Sequence, residues 1–137
     1  MKTYLDSSAF AKRFVDEAGS DKVENVCAQA SQLGLSIICV PEIVSALNRR
    51  KRERSLTADQ YAEAKQRLLD DVRDADIINL AVSVVGSAIT VLESGPVRAM
   101  DALHIACALE WGAQLFVSSD KKQLKVARRL GLKTHQV

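Results

Sequence analysis

The chain has 137 residues, of which 47% are hydrophobic and 26% are charged, and its formal net charge is +2 at pH 7. This length suits one domain with a sizeable core, and the ordinary composition excludes disordered and fibrous classes. No apolar run approaches the roughly 18 residues of a membrane span, and the small net charge does not identify a polyanionic partner. We therefore expect a single domain over residues 1–137, and Met1 directly before a strand predicts an unprocessed, cytoplasmic protein.

The predicted elements alternate between strand and helix, which favours a parallel sheet with helices on both faces. Short apolar runs predict the strands, whereas amphipathic or capped stretches predict the helices. In chain order, the predicted elements are a strand at 3–5, helices at 9–15 and 22–33, a strand at 35–40, a helix beginning near Pro41, a helix from 57 to about 72, a strand at 77–80, helices at 81–92 and 98–110, a strand at 114–117, a helix at 121–130 and an edge strand at 133–137.

Caps and helix breakers set several of these boundaries. Gly34 is predicted to end the second helix, because glycine is the usual residue after a helix. Thr57 with Gln60 predicts a capping box, so residues 53–56 should form the turn of a helical hairpin. The three cysteines form no CxxC pair, and we interpret them as small buried hydrophobic residues rather than zinc ligands.

Four acidic residues lie at the edges of hydrophobic segments: Asp6, Glu42, Asp101 and Asp120. Asp6 directly follows a predicted strand and Asp120 comes three residues after another, whereas Glu42 and Asp101 lie near the starts of predicted helices. Open α/β sheets bind their ligands in the crevice at the carboxyl ends of the strands. We therefore expect the four carboxylates to converge at that edge.

Carboxylates that share a crevice need a source of positive charge. Two ionised carboxylates about 5 Å apart repel each other by roughly 3 kcal/mol at an effective dielectric constant near 20. Raised pKa values, nearby Lys or Arg side chains, or a bound metal would relieve this repulsion. Oxygen-only ligands favour hard cations, so Mg²⁺ or Mn²⁺ is expected, and such an ion can activate water for attack on a phosphodiester.

Each of these acids also has a purely structural interpretation. Asp6 and Asp120 could be helix N-caps, and Glu42 could stabilise the dipole of its helix in the first turn. Asp101 could form an ion pair with Arg98, one turn earlier on the same helix. Convergence of all four at one sheet edge would favour a functional site over four independent caps.

Four segments together resemble the PIN-domain ribonucleases, and in particular the toxins of VapBC toxin–antitoxin systems. They cover essentially the whole chain in the family's order: YLDSSA at 4–9, PEIVSAL at 41–47, MDALHIACA at 100–108 and LFVSSD at 115–120. The resemblance implies a three-layer α/β/α sandwich with a central parallel sheet. It also implies an acidic pocket that binds Mg²⁺ or Mn²⁺.

The same resemblance implies a role for individual side chains. Its motifs match three principal acids, a fourth and more variable acid, a small hydroxyl residue near the first acid, and a position where the family most often has threonine. In this chain these are, in that order, Asp6, Glu42 and Asp101, then Asp120, Ser8 and Ser118. We accordingly expect a metal-dependent endoribonuclease toxin whose partners are an RNA substrate, a VapB-type antitoxin and a second copy in a homodimer.

Further side chains have open interpretations. The basic residues after Glu42 could guide an RNA backbone toward the pocket or could form a solvated helix face. We interpret His104 as structural, because a metal-activated water needs no histidine. The aromatic side chains Trp111, Phe116 and Tyr61 are expected to pack rather than to stack on bases. The basic residues in question are Arg49, Arg50, Lys51 and Arg52.

Two other classes of function fit an acidic crevice on a parallel sheet. A receiver-like phospho-acceptor domain gathers acids and Mg²⁺ in the same place, although this chain has no acidic pair after its first strand. A dehalogenase-like phosphatase would need a second aspartate two positions after Asp6, where Ser8 stands. A non-catalytic module could use the pocket only to bind a basic partner segment, since guanidinium groups pair well with carboxylates.

Overall fold

A computed structural model, which describes all 137 residues, contains one sheet of five parallel strands in the order β3-β2-β1-β4-β5. The strands are β1 (Lys2–Leu5), β2 (Gln32–Ser36), β3 (Asp76–Ile78), β4 (Leu115–Ser118) and β5 (Thr134–Gln136). The helices are α1 (Ser7–Phe10), which continues as a 3₁₀ turn over Ala11–Arg13, α2 (Ser20–Gln29), α3 (Cys39–Arg52), α4 (Ala58–Arg73), α5 (Val82–Ser94), α6 (Ala99–Trp111) and α7 (Lys121–Arg129).

Helices cover both faces of this sheet. The first layer, α1 to α4, packs on Leu5, Leu35 and Val117, and the second layer, α5 to α7, packs on Tyr4 and Phe116. Successive residues of a strand point to opposite faces, so the apolar runs of β1 and β4 supply both cores. The predicted three-layer α/β/α sandwich is confirmed. None of the helices combines the length and the apolar character needed to cross a bilayer.

The middle strand, β1, marks the point where the chain changes sides. From β1 the chain builds β2 and β3 on one flank and then crosses to β4 and β5 on the other. Leu5 pairs with Val117, and the backbone N–H of Asp6 donates to the Val117 carbonyl at 3.1 Å. The carboxyl ends of β1 and β4 therefore lie side by side at the switch point, where open α/β sheets bind ligands.

The prediction that Gly34 ends a helix is wrong. The second helix ends at Gln29, and Gly34 lies in the middle of β2, which begins at Gln32. The Trp111 indole packs against the strand there, and a Cβ atom at Gly34 would lie 2.6 Å from a ring carbon. Glycine is thus required for close packing of α6 on β2, and the strand predicted at 35–40 is displaced toward the N-terminus.

The predicted α3–α4 hairpin is confirmed. The Thr57 hydroxyl accepts from the Gln60 N–H, and the Gln60 side chain accepts from the Thr57 N–H, which completes the capping box of α4. Arg54, in the connecting turn, has a φ of 62°, in the left-handed region. The hairpin places the basic end of α3 at the edge of the first layer.

Candidate active site

Three of the four predicted acids line one open cleft at the carboxyl edge of the sheet. Glu42 lies in the first turn of α3, Asp101 in the first turn of α6, and Asp120 directly before α7. The cleft has a volume of about 1090 Å³. Its lining is completed by Pro96, Val97, Arg98, Ala99, Met100 and Lys122. The two helical layers therefore both contribute carboxylates to it.

Asp6, the fourth acid, is not part of the cleft lining and is only 4% exposed. Its Oδ1 accepts from the Ala9 N–H at 2.9 Å and so caps α1. The Ser8 hydroxyl donates to Oδ1 at 2.8 Å, and the Ser118 hydroxyl donates to Oδ2 at 2.7 Å. Burial raises the pKa of the Asp6 carboxyl, and these hydrogen bonds offset only part of that rise. Asp6 is thus both a cap and a part of the site.

A hydrogen-bonded chain connects Asp6 to the wall of the cleft. The Ser118 hydroxyl, which contacts Asp6, also accepts from the Asp120 N–H at 3.0 Å and lies 2.9 Å from Gln123 Oε1. Gln123 Nε2 donates to the Asp101 carbonyl at 3.2 Å. Gln123 is fully buried, and it ties the end of β4 to the start of α6. The only sign of this role in the sequence is that Gln123 lies among the apolar positions of α7.

The predicted cap at Asp120 is also present. Its Oδ1 accepts from the Lys122 N–H at 2.9 Å and from the Gln123 N–H at 3.4 Å, so it begins α7. Its Oδ2 accepts no hydrogen bond from the protein. One oxygen of Asp120 therefore orders the helix, and the other has no protein donor.

Glu42 has two donors that the sequence did not reveal. The Ser7 hydroxyl donates to Glu42 Oε1 at 2.7 Å, and His104 Nε2 lies 2.7 Å from the same oxygen. Burial alone would raise the pKa of Glu42, but the hydrogen bonds from His104 and Ser7 outweigh it and lower the pKa below its usual value. His104 is buried, as predicted for a structural residue, yet it contacts an acid of the cleft directly.

Asp101 lacks the ion pair that was its structural alternative. No guanidinium nitrogen of Arg98 lies within 4 Å of its carboxylate, and Asp101 is only partly buried. Burial raises the pKa of Asp101, and the nearby charge of Asp120 raises it further. The two carboxylates therefore repel each other across the cleft, as expected of a site that attracts cations.

The donor set of the cleft suits a hard cation. Glu42 Oε2 and Asp120 Oδ2 have no protein donor, and the negative charge of Asp120 adds to burial in raising the pKa of Asp101. In this chain, however, no three His, Cys, Asp or Glu side chains approach closely enough to enclose a metal ion by themselves. Mg²⁺ commonly binds through one or two carboxylates and retains several waters, so an incomplete protein shell fits this ion better than zinc.

The predicted basic residues form the last turn of α3, about 10–15 Å along the helix from Glu42 at 1.5 Å per residue. Arg49 lies on the same face as Glu42, and with Ser8 it lines a second cavity of about 460 Å³ beside the cleft. Arg50 is paired with Glu17 at 2.6 Å. Lys51 lies over the Tyr61 ring, and Arg52 is exposed.

The cations nearest to the acids are therefore not those predicted from the basic run. Arg98 and Lys122 line the cleft itself, together with the three acids. Arg98 immediately precedes α6, and Lys122 lies in the first turn of α7. Their positions depend on contacts between distant segments, which the sequence pattern does not encode.

Comparison with known proteins agrees with this geometry. The PIN domain family model matches residues 3–129, and the chain therefore belongs to the PIN domain family. Ribonuclease VapC45 of Mycobacterium tuberculosis is 28% identical over 109 residues, which cover 80% of this chain and 76% of that protein.

Solved structures share the fold at low sequence identity. VapC20 of Mycobacterium tuberculosis, described as a toxin that cleaves the sarcin-ricin loop, superposes with a TM-score of 0.72 at 16% identity, over 98% of this chain and 99% of that chain. VapBC2 of Rickettsia felis, bound to a DNA fragment from its promoter, superposes with a TM-score of 0.70 at 14% identity, over 100% and 99%. These similarities establish the fold.

Proposed function

We propose that this PIN-domain protein is a cytoplasmic endoribonuclease that requires Mg²⁺ or Mn²⁺ and acts as the toxin of a toxin–antitoxin pair. One observation carries the proposal: Glu42, Asp101 and Asp120 line a single cleft, and Ser118 connects the buried Asp6 to Asp120 by hydrogen bonds. The name of the relative VapC45, a ribonuclease, points to the same activity.

The acidic and the basic residues of the cleft have different roles in phosphodiester hydrolysis. Asp6, Glu42, Asp101 and Asp120 would together hold the divalent cation, with Asp6 contributing from its buried position at the end of β1. The cation, when bound, supplies an activated water and offsets the negative charge that grows on the phosphate. Arg98 and Lys122 lie on the same lining as the acids, where they can pair with phosphate oxygens of the RNA.

Two hydroxyl side chains keep the buried acid in place. Ser8 and Ser118 donate to opposite oxygens of Asp6, which fixes the carboxylate plane relative to β1 and β4. Serine at position 118 supplies the hydroxyl group expected from threonine in the family. We infer that these two residues support the site without touching the substrate.

A cleavage assay with purified, antitoxin-free protein tests the activity directly. The wild-type protein should cut structured RNA when Mg²⁺ or Mn²⁺ is present, and EDTA should stop cleavage until excess metal is restored. Asp6→Asn should remove cleavage while circular dichroism shows an intact fold. Cleavage that persists in EDTA, or that survives in Asp6→Asn, would contradict the proposal.

An antitoxin is the proposed protein partner. The Rickettsia felis neighbour is a VapBC pair, and the acidic cleft of this chain suits an arginine-bearing partner segment, because guanidinium forms paired hydrogen bonds with carboxylates. Such a segment would compete with RNA for the same acids. A purified antitoxin should therefore inhibit cleavage with one-to-one stoichiometry, and simultaneous binding of RNA and antitoxin would contradict this account.

A second copy of the chain is the proposed partner of α5. Four apolar side chains form one exposed stripe on this helix, with exposed fractions of 89% for Val82, 48% for Val85, 54% for Ile89 and 42% for Leu92. The only charged residue of the helix is Glu93. An uncharged face can meet its own copy around a twofold axis without repulsion, which favours the homodimer.

The alternative functions receive less support. Receiver-like domains have the strand order 2-1-3-4-5, whereas this sheet has the order 3-2-1-4-5, with its first strand in the centre. A non-catalytic binding module would bind a basic partner segment but would not cut RNA in the assay with purified protein. Incubation with acetyl phosphate should accordingly leave the protein without a labile acyl phosphate.

A further inference from the structure

A buried polar chain lies behind Glu42 and connects the two helical layers. His104 of α6 is 2% exposed, and its Nε2 lies 2.7 Å from Glu42 Oε1 on α3. Its other ring nitrogen, Nδ1, lies 2.7 Å from the hydroxyl oxygen of Tyr4 on β1. The Ser7 hydroxyl lies 3.1 Å from His104 Nε2 and 2.7 Å from the same Glu42 oxygen. Glu42 Oε1 is thus enclosed by protein donors.

The chemistry of these contacts determines where the hydrogens are. His104 Nε2 must carry a hydrogen, because an unprotonated nitrogen would point its lone pair at a carboxylate oxygen 2.7 Å away. On the other side of the ring, the Tyr4 hydroxyl is suited to donate to Nδ1. A tyrosine hydroxyl carries its proton at neutral pH, so it can donate this hydrogen bond. Tyr4 therefore favours the tautomer that donates to Glu42.

The two oxygens of Glu42 are consequently unequal. Oε1 is occupied by the His104 and Ser7 donors, whereas Oε2 accepts no hydrogen bond from the protein. We propose that His104, oriented by Tyr4, is a positioning residue that holds Glu42 with its Oε2 presented to the cleft as a single ligand oxygen for the divalent cation. This inference rests on the proposed function, since it concerns the same cleft.

These contacts do not form a nucleophilic triad. In a Ser-His-acid triad the nucleophile and the carboxylate contact different nitrogens of the imidazole. Here Ser7 and Glu42 both contact Nε2, and Tyr4 holds Nδ1. Ser7 and His104 are also buried, so neither can reach an RNA phosphate. The geometry serves to orient Glu42.

The expected consequence is a defect in metal binding. Partners that orient a ligating group typically contribute about 10–100-fold to metal affinity or activity. His104→Leu, which keeps an apolar volume but removes the N–H donor, should weaken Mn²⁺ binding by about that factor. His104→Gln should restore affinity to within about threefold of wild type, because its amide can place an N–H near the Nε2 position.

Isothermal titration with Mn²⁺, paired with thermal denaturation of the metal-free protein, tests the inference without any activity assay. Ile105→Val is the matched control, since it removes one buried methylene from the neighbouring position of α6 and does not touch Glu42. It should bind Mn²⁺ as wild type does. Tyr4→Phe keeps the ring stacked on Phe116 but removes the donor to Nδ1, and should weaken Mn²⁺ binding by about tenfold.

The outcomes separate this inference from the proposed function. If the wild-type protein binds no Mn²⁺, metal dependence itself fails. If the wild type binds Mn²⁺ and His104→Leu binds it equally well, the positioning role is overturned. Equal weakening in His104→Gln, or in Ile105→Val, would also overturn it, because the loss would then not follow the N–H donor. Should His104→Leu not fold, Tyr4→Phe and His104→Gln carry the comparison.

Discussion

The two helical layers of this protein present different surfaces to their surroundings. The α3–α4 hairpin of the first layer ends in exposed basic side chains, whereas α5 of the second layer exposes a row of apolar ones. The first surface suits a polyanion, and the second suits another apolar surface. The acids lie where the layers meet, with Glu42 from one layer and Asp101 from the other. Substrate binding and subunit contact should therefore be separable by mutation.

The largest expected effect concerns the acids at the boundary between the two helical layers. Glu42→Gln and Asp101→Asn should each reduce RNA cleavage by more than about 100-fold, because partners of metal ligands alone contribute about 10–100-fold. Rates of cleavage of a labelled RNA at saturating Mg²⁺ provide the measurement. Asp59→Asn is the matched control, since Asp59 also lies in the first turn of a helix but is exposed and outside the cleft.

If cleavage required only one of the two acids, the site would belong to one helical layer, and the proposal that both layers contribute to it would be wrong. A loss of activity in Asp59→Asn would point instead to a general effect of charge.

The second effect concerns the apolar surface of α5. Ile89→Lys should convert the homodimer to a monomer at micromolar concentration, because it places a charge in the middle of the apolar stripe. Size-exclusion chromatography with light scattering measures the mass. Leu69→Lys, at a 40% exposed leucine of α4, should leave the mass unchanged. A wild-type monomer, or a dimer that survives Ile89→Lys, would remove this role of α5.

A third effect concerns the packing of the second helical layer on the sheet. Gly34→Ala should lower the free energy of unfolding by about 1–3 kcal/mol, because the added methyl group meets the Trp111 ring. Gly86→Ala is the opposite case: no atom of the same chain lies within 4 Å of its added Cβ, and alanine favours the helix by about 0.5–1 kcal/mol. Because Gly86 lies beside the apolar stripe of α5, both glycine variants are made in the Ile89→Lys background. Urea denaturation of both variants gives the comparison, and equal stabilities would contradict the packing argument.

A smaller effect is expected on the basic surface of the first layer. Arg49→Glu should weaken RNA binding several-fold and reduce the slope of log affinity against log salt by roughly 0.7 for one lost phosphate contact. Filter binding in the Asp101→Asn background measures affinity without cleavage. Arg52→Glu serves as a charge-matched control farther along α3 from Glu42. If the two substitutions weakened RNA binding equally, the effect would come from the overall positive charge of this helix end rather than from a specific contact of Arg49.

The smallest effect is on stability as a function of pH. The folded-state pKa of Asp101 is raised, so the folded protein binds more protons than the unfolded chain between the ordinary and the raised values. The stabilising contribution of the protonated Asp101 carboxyl is therefore lost as pH rises through that interval, above the ordinary value of 3.8. In EDTA, the melting temperature of Asp101→Asn relative to wild type should increase from pH 3.5 to pH 7. A constant difference would contradict the raised pKa.

Local signals in the sequence predicted much of this fold. Alternating strands and helices, the Thr57–Gln60 capping box and the acids after β1 and β4 depend on neighbouring residues, and all are present. The role of Gly34 was predicted wrongly, because glycine is needed there to leave room for the ring of Trp111, a residue far along the chain.

The acids of the site were predicted from the sequence and the resemblance added Ser8 and Ser118, whereas the contacts of Ser7 and His104 with Glu42 were not predicted. His104 and Glu42 are separated by 62 positions, and Ser118 and Asp6 by 112. Such contacts arise only when the layers pack, so the pattern of the sequence does not specify them. The resemblance identified which residue types matter, and the three-dimensional arrangement identifies what holds them.

The central claim is that these acids cut RNA. Sequencing of RNA 5′ ends after induced expression of wild type, beside Asp6→Asn at equal protein level, tests it most directly. The account predicts new 5′ ends at defined positions with the wild type and none with Asp6→Asn. The same new ends in both samples, or no new ends in either, would contradict it.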